Sequence, residues 1–124
     1  MTTKILYATT ARATGGRDGK AATTDGSFSV LLGTPKALGG NGEGNNPEQL
    51  FASGYAACFL GAMKFAASQD KVLPRVPADT AVEATVGIGP RSDKGFGLAV
   101  KLVVMLPGIE RKAAEALVAE ADTI

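Results

Sequence analysis

At Asn46-Pro47-Glu48-Gln49 the chain carries a well-formed helix start, and nearly everything from residue 50 to residue 67 behind it is apolar or small. Asn caps, Pro occupies the first helical position where its missing N–H costs nothing, and Glu48 meets the positive end of the helix dipole. The helix is expected to run toward Ser68-Gln69-Asp70. Apolar residues at 50, 51, 58, 59, 60, 62, 63, 65 and 66 fall on almost every side, so burial all round is predicted, as for a central helix. Ser53, Gly54, Tyr55 and Lys64 interrupt the stretch, which argues for a buried helix rather than a membrane span.

Short strands are expected around it. Residues 4–14 are rich in β-formers such as Ile5, Tyr7, Thr9 and Thr10, and Gly15-Gly16-Arg17-Asp18-Gly19 makes the next tight connection. Segments 20–24 and 27–32 flank Asp25-Gly26, a strong hairpin dipeptide. Residues 34–46, heavy in Gly, Asn and Pro, read as loop. Beyond Pro74 and Pro77, residues 80–88 and 97–106 read as two longer strands joined at 90–95, and 110–121 as an Ala-rich helix with Leu117 and Val118 inward. Three strands, helix, two strands, helix gives an α+β fold of antiparallel strands around a central buried helix. With no repeat or linker, residues 1–124 read as one domain.

The side-chain inventory prunes the chemistry. Thirteen basic and twelve acidic residues are scattered singly, which disfavours nucleic acid as a partner. No membrane partner is expected, and the opening residues have no apolar run followed by a small-residue cleavage site, so the protein is expected to be cytoplasmic. There is no His, which removes histidine-dependent triads and imidazole metal sites. Cys58 is the single Cys, so an internal disulfide, a CxxC redox pair and a thiolate zinc cage are all excluded. No metal or cofactor is expected.

Cys58 therefore has two readings. A lone Cys on an apolar helix is commonly a small buried hydrophobe. As a nucleophile it needs a cation nearby, because it lies twelve residues past Asn46, about 18 Å along the axis and far outside the first turn. Arg17, in its Gly-rich turn, is the candidate cation; its plainer role is a solvated turn residue. Glu48 is either a first-turn acid or a carboxylate that orients an Arg. The run Gly39-Gly40-Asn41-Gly42-Glu43-Gly44 lacks the Lys-Ser/Thr of a P-loop and reads as a flexible loop.

Together, Gly15-Gly16-Arg17-Asp18-Gly19 and Asn46-Pro47-Glu48-Gln49-Leu50-Phe51-Ala52-Ser53-Gly54-Tyr55-Ala56-Ala57-Cys58-Phe59 resemble the organic hydroperoxide resistance branch of the Ohr/OsmC family. The resemblance implies an intertwined homodimer with sites at the subunit interface and a Cys-based peroxidase of alkyl and fatty-acid hydroperoxides. It also implies a dithiol reductant of the lipoyl type. Residue by residue, Cys58 matches the peroxidatic thiol, Arg17 the arginine beside it, and Glu48 the carboxylate that pairs with that arginine. Family members normally carry a second Cys just beyond the C-terminal helix, and this sequence stops at Thr123-Ile124, so a truncated or incomplete chain is expected. The alternative is a non-catalytic binding member of the same fold with an unreactive buried Cys58. Glu48 and Cys58 are ten residues apart, about 15 Å of helix. Either the helix breaks near Ser53-Gly54, or the Glu48 and Cys58 around one Arg17 come from different subunits; the second is the expectation.

Overall fold

The computed structural model describes residues 3–124, so the first two positions of the one-domain reading lie outside the described residues. Two compact units form, Met1–Gln49 and Leu50–Ile124. The first is a meander of β1 (Ala11–Thr14), β2 (Lys20–Thr23) and β3 (Ser29–Leu31), antiparallel in that order. β1 and β2 pair from Ala11 opposite Thr23 to Thr14 opposite Lys20, which leaves five residues to reverse the chain. The next reversal is held by Asp25, whose carboxylate accepts the Ser27 N–H at 2.9 Å, the Ser27 hydroxyl at 2.7 Å and the Thr23 hydroxyl at 2.8 Å. These donors pull the Asp25 pKa down to about 2.

The first strand is shorter than its composition suggests, beginning at Ala11 rather than near Lys4. Beyond Ala11 one further bond follows, from the Thr24 N–H to the Thr10 carbonyl at 2.8 Å, and then β2 gives way to the Asp25-Gly26 turn. A strand needs a neighbour for its N–H and C=O groups, and this meander supplies none for residues 4–9.

After β3 the loop returns to where it left. Asn45 donates to the Leu31 carbonyl at 3.0 Å and accepts the Gly33 N–H at 2.8 Å, forming a parallel bridge between Leu32 and Asn45. A Cβ on Gly33 would sit 1.5 Å from the Glu43 carbonyl oxygen, so the two passes approach as only glycine allows. A short 3₁₀ turn, Lys36–Leu38, lies within the loop.

The long helix α1 spans Pro47–Gln69 without a break. Asn46 Oδ1 accepts the Gln49 N–H at 2.9 Å while Gln49 Oε1 accepts the Asn46 N–H at 3.0 Å, a reciprocal capping box. In the second unit, β4 (Ala81–Pro90) and β5 (Phe96–Met105) form a ten-rung antiparallel hairpin, and α2 (Arg111–Ala121) follows, capped by the Glu110 carboxylate on the Lys112 N–H. Phe59, Met63, Ala66 and Ala67 of α1 bury against Leu117 and Ala121 of α2, with Val82, Leu102, Val104 and Leu106 packed around them.

Residues 59, 63, 66 and 67 lie on one helical face, so α1 is buried on one side and not all round. Phe51, Tyr55 and Phe65 remain exposed on it. The hairpin repeats the pattern along its length. Val82 and Ala84 pair with Val104 and Leu102 over the core, whereas Leu98 and Phe96, on the same face further along, are 56% and 67% exposed. Apolar periodicity correctly marks what needs covering, but the second unit has partners for only part of it.

Candidate active site

Arg17 sits in the middle of a 3₁₀ turn, Gly16–Asp18, between β1 and β2. Gly15 and Gly16 have φ of 77° and 64°, a region that costs other L-residues roughly 1–2 kcal/mol. Gly19 closes the turn by contact rather than by φ. A Cβ there would lie 1.7 Å from the Thr14 carbonyl oxygen and 2.7 Å from the Gly15 Cα.

The guanidinium meets Glu48 in the first turn of α1. Nη1 donates to Oε2 at 3.3 Å and Nη2 donates to Oε1, so both carboxylate oxygens are engaged by one fork. The Arg17 side chain is 37% exposed and that of Glu48 15%. The carboxylate hydrogen bond raises the Arg17 pKa above its ordinary value, so the cation is permanent. Arg17 Nε is buried and has no hydrogen-bond partner among the described residues. Beside it, Asp18 accepts the Thr34 N–H at 2.9 Å, and Thr34 holds the Asp18 carboxyl below the usual carboxylate range through its N–H first and its hydroxyl second.

Cys58 lies in the second unit and is exposed. It sits one residue off the buried Phe59 face of α1 and opens on a cavity of about 180 Å³, lined also by Tyr55, Phe59, Ala62, Ala121 and Asp122. Tyr55 stacks on Phe51 with ring centroids 5.7 Å apart, which makes the wall beside the thiol aromatic. A larger hollow, about 570 Å³ along Val104, Leu106 and α2, is lined by no thiol or hydroxyl side chain.

Arg17 and Glu48 are thus paired as the resemblance implies, although 31 residues separate them in sequence. The helix between Glu48 and Cys58 is continuous, so a break at Ser53-Gly54 is ruled out. The buried Cys58 of the alternative reading is corrected: the core-facing stripe runs through Phe59, and the thiol is rotated off it. Sequence reasoning missed the Asp18–Thr34 tie, and also the role of Gln49 in the cap. The second was available in the Asn-x-x-Gln spacing; the first had no local signal.

The family model described as OsmC-like protein matches residues 40–124, and the chain belongs to that family. Within the family, its relatives include the organic hydroperoxide resistance protein of Xanthomonas axonopodis pv. citri, 46% identical over 98% of this chain and 84% of the relative. An uncharacterized protein of Acinetobacter baylyi is 52% identical over 98% of this chain and 82% of its own length. Among solved structures, an organic hydroperoxide resistance protein from Legionella pneumophila superposes with a TM-score of 0.88 at 43% identity, covering 97% of this chain and 85% of that one. One from Elizabethkingia anophelis gives 0.87 at 39% identity, covering 98% and 85%.

Proposed function

We propose that the protein is a thiol-dependent peroxidase that reduces alkyl and fatty-acid hydroperoxides to alcohols, and so serves in resistance to organic hydroperoxides. The observation that carries the reading is the forked Arg17–Glu48 pair, which fixes a permanent cation in one orientation. A guanidinium held in this way can donate to an anion or a polarised oxygen. The aromatic, apolar wall beside the exposed Cys58 suits an alkyl chain better than a water-like peroxide.

In this mechanism the Cys58 thiolate attacks the distal peroxide oxygen. The S–O bond forms as the O–O bond breaks, sulfur is oxidised to a sulfenic acid, and the alkoxide takes a proton and leaves as the alcohol. Arg17 donates to the oxygen on which charge develops, and Glu48 sets the guanidinium plane. A dithiol, of the lipoyl type by the family resemblance, then restores the thiol: one sulfur displaces water from the sulfenic acid, and the second closes a disulfide on the reductant. A reducing cytoplasm provides the compartment for this cycle.

The working form in this reading is a homodimer in which residues 1–124 of each copy act as one domain. Arg17 and Glu48 of one copy complete the site at Cys58 of the other. The apolar faces of α1 and of the far end of the β4–β5 hairpin support association. Intact-protein mass after brief exposure to tert-butyl hydroperoxide, with and without dimedone, tests the chemistry. A dimedone adduct on Cys58 that forms faster than with equal hydrogen peroxide is expected. An unmodified mass from folded, reduced protein would refute the peroxidase.

A further inference from the structure

We propose that Asp18 is a positioning residue: through Thr34 it locks the turn that carries Arg17 to the segment that seats Glu48. The turn needs such a lock. It is flanked by Gly15, Gly16 and Gly19, and a Gly-rich backbone has more conformations to lose than any other. Arg17 itself has a long, rotamer-rich side chain to order. The forked pair requires both problems to be solved before substrate arrives.

Thr34 is a suitable anchor because it is itself held. Its carbonyl accepts the Gly42 N–H at 3.2 Å, and a Cβ on Gly40 would lie 2.0 Å from that same oxygen, so the loop closes tightly on it. The next residue back, Gly33, donates to the Asn45 carbonyl at 2.8 Å; Asn46 caps α1, and Glu48 follows two residues later. A short chain of bonds thus runs from the Arg17 turn to the carboxylate that Arg17 grips. Asp18 is not a rival for the guanidinium, since both Nη atoms go to Glu48. Its oxygen faces the Thr34 N–H instead.

The consequence at Cys58 rests on the peroxidase reading, whereas the lock itself does not. Two measurements keep them apart. The first is rotation of the Arg17 guanidinium by NMR in the folded full chain, slow in the parent and expected to become fast in Asp18→Ala. The second is the rate of Cys58 oxidation by tert-butyl hydroperoxide, expected to fall about tenfold in Asp18→Ala, the loss of one charge-assisted orienting bond. Asp18→Asn keeps an acceptor for the Thr34 N–H and should preserve slow rotation and most of the rate. In an Arg17→Ala background, Asp18→Ala should cost nothing further. Should Asp18→Ala fail to fold, Thr34→Val removes only the hydroxyl donor and should speed the rotation in the same direction, more weakly. Slow Arg17 rotation in Asp18→Ala, or an equal second loss in the Arg17→Ala background, would overturn the proposal. If Arg17→Ala does not slow oxidation, the peroxidase reading fails, and the NMR arm still decides the role of Asp18.

Discussion

Gly19 offers the sharpest test of whether the turn around Arg17 is built for position. In Gly19→Ala the new Cβ would stand 1.7 Å from the Thr14 carbonyl oxygen, and real Cβ contacts essentially never fall below 3.0 Å. The turn must therefore open by about 1.3 Å, the difference between those two distances. The obstacle is backbone on both sides, Thr14 and the Gly15 Cα, so no side chain can swing aside to absorb it. A displacement of that order at a group that must meet a reacting atom costs roughly 100-fold, or about 2.7 kcal/mol of barrier. The assay is stopped-flow oxidation of Cys58 by tert-butyl hydroperoxide, read with thermal unfolding on the same sample. Gly26→Ala serves as the control. It also strains a positive-φ glycine, at 80°, but meets nothing within 4 Å and lies in the turn held by Asp25. The control should lose about 1–2 kcal/mol of stability and keep its rate. A folded Gly19→Ala protein that oxidises at the parent rate would refute the claim that closure of this turn places Arg17.

Two further outcomes follow from burial and titration. Leu117 is fully buried between α2 and α1, so Leu117→Ala should destabilise the protein by about 2–5 kcal/mol in denaturant unfolding at fixed protein concentration; a loss below 1 kcal/mol would mean that this core is not the stabilising one. Asp25 has its carboxyl held at about 2 against an ordinary 3.8, a depressed pKa, so its contribution is complete above about pH 4 and is lost as pH falls toward 2. Melting temperature between pH 5 and pH 2 should fall less steeply in Asp25→Asn than in the parent, and equal slopes would remove Asp25 from the acid response.

What could be read from the sequence divides by range. The helix start at Asn46 is a local device, in which cap, Pro and first-turn acid act on their own neighbours, and α1 runs to Gln69 as the pattern implies. The β4–β5 hairpin is equally local, with alternation on both arms and a turn between. Residues 4–10 failed as strand because β propensity says nothing about whether a pairing edge is available. The apolar side of α1 left exposed in the single chain has a similar origin: periodicity counts apolar faces, not the neighbours that cover them. The Arg17–Glu48 pair became visible through the family resemblance, since no spacing rule links positions 31 apart. Asp18 and Thr34, 16 apart and joined through a loop, had no signal at all.

The exposed apolar faces and the geometry of α1 converge on one requirement in the proposed mechanism. Glu48 and Cys58 are fixed about 15 Å apart along an unbroken helix, and Arg17 is clamped to Glu48 by both Nη atoms. A guanidinium so held is spoken for at one end of the helix, so the cation that serves a given thiol is best supplied by a second copy. The prediction is complementation. Cys58→Ser lacks the nucleophile and should be inactive toward tert-butyl hydroperoxide, and Arg17→Ala lacks the cation and should keep only a small residual rate. If random exchange of copies makes half the dimers mixed, each mixed dimer holds one site with both residues intact, and mixing should recover about a quarter of the parent activity. Recovery should appear only under conditions in which the copies exchange, followed by native mass spectrometry of isotopically distinguished chains. If mixed dimers form and the activity stays at background, the two residues serve the same thiol from one chain, and the two-copy site is wrong.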